Sequence, residues 1–547
     1  MVCFPILSRL IFKQYIIVKS LEEQTNFLGG NMAKNYSYPR VTISQYAKTR
    51  SSVAPAAEDT TVLFMPFIAE KGIFGKDQES YQPVRNLSEF IDRFGNLKFE
   101  DNGQTALIIY NWLNAGGTLF PYRLNNYAST KTIYGGTSDV FQSKYIGEFY
   151  NNLSIVLTPL SASFLQLEVK HTENGLTTTI ESMRFTESTM DSNLDASQFI
   201  ELYPNAEWSD VLGCVDTNKI GTSVKVSVKT SASKLADNND LYTLVKTLWT
   251  NPNDTTSLVY KSLSNSLQSP VDVIMDAGYS KDIKNLMIQF IDNASENATR
   301  PDIVGLFDNH EIVYDKTAGK FTGKESVTRE NTVYGIAADI PDGFQFAHTN
   351  VAVWDQYFVI EDAIFTDKDI NVTPTYFLSK LIPYNDIVYG VQYPTAGLRR
   401  GILEDAKKVF TNPTPDEKET MFKNRINYCE KSAREYAFMS QRTWDGSTAE
   451  KYTALSFLNN VRALERMKKD LNRIGREYLF EHNDSVTLSQ MSNVLNRYMA
   501  TWTANRTLSY AEVTVAPNAW STESVDVTLV IRFNNTIEVI SVDITIE

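Results

Sequence analysis

Histidine and cysteine are scarce in this 547-residue chain, which contains four histidines and three cysteines. Cys3, Cys214 and Cys429 are too few for a disulfide framework, and they fit a reducing compartment. The histidines lie far apart, and neither an HExxH nor a CxxC motif occurs. We therefore expect no metal site, because metal ligands need neighbours at a suitable spacing.

Long apolar runs and excess positive charge are also missing. No apolar stretch approaches the roughly 20 residues that cross a bilayer, so no direct membrane insertion is expected. The net charge of −13 argues against nucleic acid as a partner. The first residues resemble a signal peptide, but Arg9 and Lys13 interrupt the apolar stretch and no cleavage motif follows. We instead predict that residues 1–31 are a leader from a mis-assigned start and that the chain begins at Met32.

Motifs for cofactors and catalysis are absent as well. No G-x-S-x-G occurs, and the segment KGIFGKD has the wrong glycine spacing for a phosphate loop. We predict that the chain is not an enzyme and that it has no catalytic, cofactor-binding or metal-binding residue. Asp276, Asp302 and Asp308 fall near predicted strand ends, where α/β enzymes keep acidic groups, but a scaffold role is favoured.

Length and composition predict a multi-domain α+β protein. At about 150 residues per domain, the chain has room for roughly three to four domains. We expect a mixed-sheet core with packed helices, an inserted all-β domain, and extended strand arms at both ends. The predicted segments are a leader at 1–31, an N-terminal arm and linker at 32–59, the first part of an α/β core domain at 60–139, the inserted β domain at 140–235, a βαβ-containing middle domain at 236–344, a C-terminal domain with a long basic helix at 345–520, and terminal strands with a C-terminal arm at 521–547.

Several short motifs predict where helices and turns begin. The sequence TPDE, from Thr414 to Glu417, is a capping box with proline at the first helical position. The sequence TLSQ, from Thr487 to Gln490, predicts the start of a later helix. The sequence ENGL, from Glu173 to Leu176, indicates a β-hairpin.

A helix from about Leu455 to Phe480 carries two distinct stripes. Apolar residues recur at three- and four-residue steps, which predicts a face packed against the core: Val461, Leu464, Met467, Leu471, Ile474 and Tyr478. Basic residues recur on the other side: Arg462, Arg466, Lys469, Arg473 and Arg476. This basic stripe is either a binding face or a solvated face with local ion pairs, and the sequence leaves both possibilities open.

The chain ends in strands that carry no obvious protection of their edges. Alternating apolar residues run from Val525 to Phe533, and after a turn the alternation slips by one residue. No proline or lysine follows Pro517, although such residues usually blunt exposed strand edges. The slipped segment contains Ile540, Val542, Ile544 and Ile546, and a short strand near the other end contains Tyr38, Val41 and Ile43. A β-bulge is the alternative explanation of the slip.

The last third contains, in this order, the segments NRINYCEKSAREYAFMSQRTW, LSFLNNVRALERMKKDL, EYLFEHND and the terminal strands from Leu508 onward. This ordered set resembles the contractile tail sheath proteins of long-tailed bacteriophages and related injection systems. Upstream, NVAVWDQYFVIED, GVQYPTAG and YNWLNAGGTLFPYRLNN are also similar to family segments. The resemblance covers mostly 60–126 and 345–547, and the 1–31 extension departs from it.

This resemblance implies a structural subunit that polymerises into sixfold rings stacked as a helical sheath around an inner tail tube. The two arms would be subunit interfaces, through Ile540, Val542, Ile544 and Ile546 at one end and Tyr38, Val41 and Ile43 at the other. Contraction would drive the tube through the bacterial envelope for genome ejection. The basic stripe would then face the tube, and 140–235 would be an outward-facing insert.

The resemblance further implies baseplate and tail terminator proteins as partners, assembly in the host cytoplasm and a final location in the virion. Two other readings remain. One is another strand-exchanging assembly protein, such as a surface-layer or pilus subunit, although a secretion signal is missing. The other is a β-rich carbohydrate-active enzyme with paired carboxylates.

Overall fold

The computed structural model describes residues 15–18, 43–46, 60–75, 82–128, 130–136, 138–237, 239–292, 297–312, 314–315, 320–321, 349–410, 412–432, 435–445, 453–519, 522–534 and 536. The chain divides into two compact units. Unit 1 comprises Met1–Met65, Gly103–Phe120 and Leu248–Glu547, and unit 2 comprises Pro66–Asn102 and Pro121–Thr247. Helices and strands both contribute to the fold, so the predicted α+β class is confirmed.

The strands are numbered in chain order. They are β1 Tyr15–Val18, β2 Ile43–Tyr46, β3 Val62–Phe67, β4 Thr118–Arg123, β5 Ile133–Gly135, β6 Asp139–Ser143, β7 Leu153–Ser161, β8 Phe164–Glu173, β9 Leu176–Phe185, β10 Ile200–Leu202, β11 Val224–Val226, β12 Val228–Thr230, β13 Val273–Met275, β14 Val304–Asp308, β15 Tyr314–Asp315, β16 Lys320–Phe321, β17 Val351–Trp354, β18 Phe358–Asp362, β19 Lys368–Val372, β20 Lys408–Val409, β21 Ile426–Asn427, β22 Cys429–Ser432, β23 Glu435–Phe438, β24 Leu508–Pro517 and β25 Val525–Phe533.

The helices are numbered in the same way. They are α1 Leu87–Phe94, α2 Phe99–Asn102, α3 Gln104–Asn114, α4 Glu148–Asn151, α5 Met190–Ala196, α6 Trp208–Gly213, α7 Leu241–Trp249, α8 Leu258–Leu263, α9 Lys281–Ile291, α10 Pro374–Val388, α11 Pro415–Lys423, α12 Leu458–Glu477 and α13 Ser485–Ala504.

The largest sheet among the described residues, the central sheet, lies mostly in unit 1 and has the strand order β21-β17-β14-β13-β3-β4. Strand β13 runs parallel to β3 and β14, and β17 runs parallel to β14 and β21. Every residue of β13, β14 and β17 is buried. Continuous apolar strands of this kind are typical of a parallel sheet that is covered on both faces. The predicted βαβ unit is formed by β13, α9 and β14.

Helices α3 and α10 pack against each other in unit 1. The side chain of Gln104, at the start of α3, donates hydrogen bonds to the hydroxyls of Thr373 and Thr375 at the start of α10. All three side chains are buried. Polar groups removed from water must find partners within the protein, and this trio satisfies that requirement.

A second sheet of unit 1 has the order β2-β1-β25-β24 and contains both terminal regions of the chain. Strands β24 and β25 form an antiparallel hairpin, and helix α13 packs on β24. Along β25 the buried residues alternate with more exposed ones, as the period-two pattern predicts: Val527, Leu529, Ile531 and Phe533 are buried.

Unit 2 contains two antiparallel sheets with the orders β10-β6-β5-β12 and β11-β7-β8-β9. Their inner faces share one apolar core, which includes Tyr134, Leu157 and Leu167. The predicted hairpin is confirmed, because Asn174 and Gly175 connect β8 to β9 with positive φ at both residues. Short helices α4, α5 and α6 accompany the strands, and the sequence patterns did not predict them.

The two predicted helix starts had different outcomes. Thr414 and Glu417 form the expected capping box at the start of α11, with Pro415 in the first turn. The prediction from TLSQ is wrong, because Asp484 caps α13 by accepting hydrogen bonds from the backbone of Val486 and Thr487. Asp484 lies three residues before Thr487 and already caps the free backbone N–H groups, so the helix begins at Ser485 instead.

The predicted segment boundaries stay a prediction, but the central sheet combines strands from three of those segments: 60–139, 236–344 and 345–520. Among the described residues, no helix is both long enough and apolar enough to cross a bilayer.

Candidate functional site

Helix α12 presents its apolar stripe to the interior of unit 1. Val461, Leu464, Met467, Leu471 and Ile474 are all buried, as the three- and four-residue spacing predicts, whereas Tyr478 follows the end of the helix and is only half-buried. The burial of this stripe fixes the rotation of the helix and therefore decides which neighbours the basic side chains meet.

The basic residues of α12 do not share one exposed face. Arg462 is buried and donates to both carboxylate oxygens of Asp386, at 3.0 and 2.5 Å. Lys469 donates to Asp272 Oδ1 and to the carbonyl oxygen of Val271, each at 2.7 Å. The expectation that Arg462 faces a tube is therefore corrected, because a bidentate ion pair holds its guanidinium inside the unit.

The remaining basic residues lie nearer the surface. Arg466 is half-buried, with its Nε 3.8 Å from the Asp470 carboxylate. The side chain of Arg473 is 75% exposed, and Arg476 is also exposed. A tube-facing role stays a prediction, and Arg473 and Arg476 are the two residues of the stripe that are exposed.

A cavity of about 360 Å³ lies beside the paired residues of α12. It is bordered by the amino ends of β3, β13 and β14, by the end of α10 and by four residues of α12. Those four residues are Arg462, Glu465, Arg466 and Lys469. Burial raises the pKa of the Glu465 carboxyl above its usual value, although Lys468 opposes the shift. The cavity therefore contains both signs of charge, most of it already paired.

The carboxyl ends of β13 and β14 carry two of the buried carboxyls that the sequence placed near strand ends, Asp276 and Asp308. Lys284 lies 3.0 Å from Asp276, and Asp308 accepts hydrogen bonds from the hydroxyls of Thr373 and Thr375. Burial and the neighbouring Asp276 raise the pKa of Asp308 to about 7. These groups join the sheet to the start of α10, which agrees with a scaffold role.

Asp302 behaves differently from those two carboxyls. Burial opposes its charge, but the Arg300 guanidinium outweighs that effect and lowers the pKa of Asp302. Arg300 binds both carboxylate oxygens, at 2.7 and 2.8 Å. Asp302 is therefore held in a structural ion pair with Arg300.

The terminal sheet is the second part of the candidate site. Strand β25 pairs with β24 on one edge and with β1 on the other, and β2 pairs with β1. The predicted arm residue Ile43 begins β2, opposite Val18. The other predicted arm residues lie outside the described residues: Tyr38, Val41, Ile540, Val542, Ile544 and Ile546.

Sequence reasoning missed two features of this site. Strand β1 lies within the predicted leader, and its run YIIV was the available signal, since β-branched and aromatic residues favour strands. Asp272 and Asp386 were missed because they are distant in sequence from the helix that they neutralise. The start at Met32 stays a prediction, and the strand exchange proposed below requires the alternative, a chain that keeps β1.

Comparison with known proteins adds information only at the level of structure. No protein-family model and no curated protein sequence matches the chain. A sheath tail protein from Listeria innocua aligns with a TM-score of 0.53 and 12% identity, covering 84% of this chain and 89% of that one. A sheath tail protein from Desulfitobacterium hafniense aligns with a TM-score of 0.48 and 13% identity, covering 89% and 99%. The contracted helical sheath of the anti-feeding prophage gives 0.47 and 10%, covering 94% and 100%.

The chain therefore has the fold of a sheath tail protein. The family resemblance that the ordered motifs indicated is confirmed at the level of fold.

Proposed function

We propose that the chain is the structural subunit of a contractile tail sheath, in a long-tailed bacteriophage or a related injection system. Subunits form sixfold rings, which stack into a helical sleeve around an inner tail tube. Contraction drives the tube through the bacterial envelope for genome ejection. The sleeve forms in the host cytoplasm, ends on a baseplate and a terminator protein, and becomes part of the virion. The fold similarity supports a sheath subunit.

The observation that carries this proposal is the terminal sheet, in which β25 receives partners from both ends of the chain. Nine residue pairs join β24 to β25, whereas four pairs join β1 to β25. Strands β24 and β25 are also only seven residues apart along the chain, while β1 is hundreds of residues away. The β1 edge is therefore the weaker joint, since longer loops have a larger closure entropy.

A weak edge of this kind suits exchange between subunits. The same strand from a second copy makes the same backbone hydrogen bonds, so exchange changes little in energy. Backbone pairing on flexible connections also lets subunits tilt without separating. In the sleeve, each β25 would pair with an arm from a neighbour, and the segment 537–547 would serve as the complementary arm.

Paired cysteines test the exchange directly. Ile17 and Thr528 are register partners across β1 and β25, and Thr514 and Thr528 are register partners across the hairpin. Both pairs would be made in a chain that begins at Met1 and has its three cysteines replaced by serine. Opposed positions in antiparallel strands lie within disulfide reach.

We expect Ile17→Cys with Thr528→Cys to give covalent multimers when polymerised protein is oxidised and run on a non-reducing gel. The matched control, Thr514→Cys with Thr528→Cys, should stay monomeric under the same conditions. Only monomers from the first pair in polymerised protein would refute strand exchange. Electron microscopy of the same samples separates the classes: tubes indicate a sheath, sheets or fibres another assembly protein, and discrete particles an enzyme.

The tube contact is tested by reversing the exposed charges of α12. Arg473→Glu with Arg476→Glu should prevent assembly on an acidic tube but still permit empty sleeves, because the strand joints remain. Each exposed pair contributes only about 0–1 kcal/mol, so the effect depends on summation over many subunits. Lys219→Glu with Lys225→Glu, two exposed lysines of unit 2, gives the same charge change as a control. Normal tube-bound tails from the α12 variant would show that Arg473 and Arg476 do not contact the tube.

A further inference from the structure

Glu465, one of the residues that line the cavity beside α12, has a carboxylate oxygen whose hydrogen-bonding capacity is unused. Within the cavity wall, Asp386 is bound by Arg462 and Asp272 is bound by Lys469. Glu465 is only 5% exposed, and its Oε1 accepts a hydrogen bond from Lys468 at 2.6 Å. Its Oε2 is buried and has no hydrogen-bond partner among the described residues.

The electrostatic surroundings of Glu465 favour a positively charged donor. Burial raises the pKa of Glu465, and the nearby Asp302 carboxylate acts in the same direction. Lys468 and Lys469 oppose this effect, but Lys469 is also paired with Asp272. Arg466 lies 3.8 Å from the carboxylate of Asp470. A buried carboxylate oxygen of this kind is stabilised most by a charged donor, which supplies both a hydrogen bond and the missing charge.

The end of α10 contributes exposed apolar side chains to the cavity wall. Ile387 and Val388, the last two positions of α10 before its C-cap, are 56% and 51% exposed, and both line the cavity. Tyr384, one turn earlier, is exposed as well, and Tyr389 continues the cavity wall. Contiguous exposed apolar side chains beside a cavity commonly mark an interaction site.

We propose that this cavity receives a lysine or arginine side chain of a second copy of the chain. The aliphatic stem packs on Ile387 and Val388, and the Glu465 side chain turns so that its buried Oε2 accepts a hydrogen bond from the ammonium or guanidinium group. The choice of a second copy rests on the proposed function and on charge complementarity, since Arg473 of α12 shows that the chain presents long basic side chains to solvent. A cavity of about 360 Å³ is within the usual size range of sites that enclose a small group.

The cavity chemistry is tested first on unassembled protein. Butylammonium and butylguanidinium reproduce the two side-chain ends, and their binding is followed by calorimetric titration. Glu465→Gln should weaken binding at least tenfold, because the amide preserves the shape but removes the charge. Glu477→Gln, an exposed residue of the same helix, should leave binding unchanged. Failure of both probes to bind the wild-type protein, or equal binding by Glu465→Gln, overturns the site.

The second copy is tested on assembled protein. Glu465→Gln and Ile387→Ser should each lower the polymerised fraction several-fold, and butylguanidinium should inhibit polymerisation of the wild type but not of the Glu465→Gln variant. Thermal unfolding of each variant shows whether the unassembled chain is intact. Polymerisation of Glu465→Gln equal to the wild type overturns a second copy as the occupant. A wild type that never polymerises refutes the proposed function, while the titration still decides the cavity.

Discussion

The two units of the chain handle charge in different ways. Unit 1 contains buried ion pairs, Lys284 with Asp276 and Arg462 with Asp386, in addition to exposed ones such as Lys423 with Glu419. In unit 2, pairs such as Lys131 with Glu201 lie partly in solvent, with about a third of each side chain exposed. The parallel sheet of unit 1 is covered on both faces, so groups at its strand ends lose water and must be paired. The antiparallel sheets of unit 2 leave one face to solvent, where charges need no partner.

The largest expected effect comes from breaking a buried pair of unit 1. Arg462→Met leaves the buried Asp386 carboxylate without its positively charged partner, although the Thr61 hydroxyl still donates to it, and this should destabilise the fold by about 3–5 kcal/mol. Arg473→Met, on the same helix but exposed, should change stability by less than about 0.5 kcal/mol. Denaturant unfolding measures both. Adding Asp386→Leu to Arg462→Met should recover much of the lost stability. Equal losses from Arg462→Met and Arg473→Met would contradict the expected difference between buried and exposed pairs.

A smaller effect is expected from pH, through Asp308 in unit 1. Its pKa is about 7 in the folded protein because of burial and Asp276, against about 3.9 in an unfolded chain. Between these values the folded protein holds a proton that the unfolded chain has released, so stability falls as the pH rises from about 4 to 7.

Asp308→Asn should remove this part of the pH dependence. We expect the fall in Tm across that range to shrink by roughly 2–4 °C relative to the wild type. Asp254→Asn, which changes an exposed carboxyl, should leave the pH profile as it is. An unchanged profile for Asp308→Asn would show that Asp308 is already ionised at the lower end of the range.

Breaking an exposed pair of unit 2 should have a smaller effect still. Lys131→Ala removes a lysine that lies 2.5 Å from the Glu201 carboxylate, yet the loss should be at most about 1 kcal/mol. Added salt should reduce that loss further, since exposed charges are screened. A loss as large as that from Arg462→Met would show that the two units do not differ in this respect.

The smallest effect on unit 1 should follow from removing most of unit 2. Tyr127 and Lys234 face each other in an antiparallel bridge, and the backbones of Ala128 and Ser233 are hydrogen-bonded. The two chain ends left by excising 130–232 therefore lie side by side, and a short glycine linker joins them.

If this region is an outward-facing insert, the excised chain should keep the unfolding midpoint of unit 1 and still form tubes in electron microscopy. The cut at 130–232 also removes Tyr134, whereas the predicted boundary at 140 would leave this core residue exposed. A folded excision variant that forms no tubes would place the region inside the lattice.

Local sequence patterns determined the elements whose partners are close along the chain. The capping box at Thr414 and Glu417, the Asn174-Gly175 turn, and the apolar stripe of α12 were all predicted, because each depends on residues within a few positions of one another. The ordered motifs also indicated the family fold. The predicted start of α13 was wrong because two possible N-cap residues, Asp484 and Thr487, lie within three positions of each other.

Only the tertiary structure decided which polar groups are free and which are engaged. The sequence shows that Arg462 and Arg473 lie on one side of a helix. It does not show that Arg462 forms a buried ion pair with Asp386 while Arg473 is exposed to solvent. It likewise gives no sign that YIIV pairs with β25, or that Glu465 keeps an unused oxygen in a cavity. Helical and strand periods arise from local backbone geometry, whereas ion pairs, strand neighbours and cavities arise where distant segments meet, and a single sequence does not record those distances.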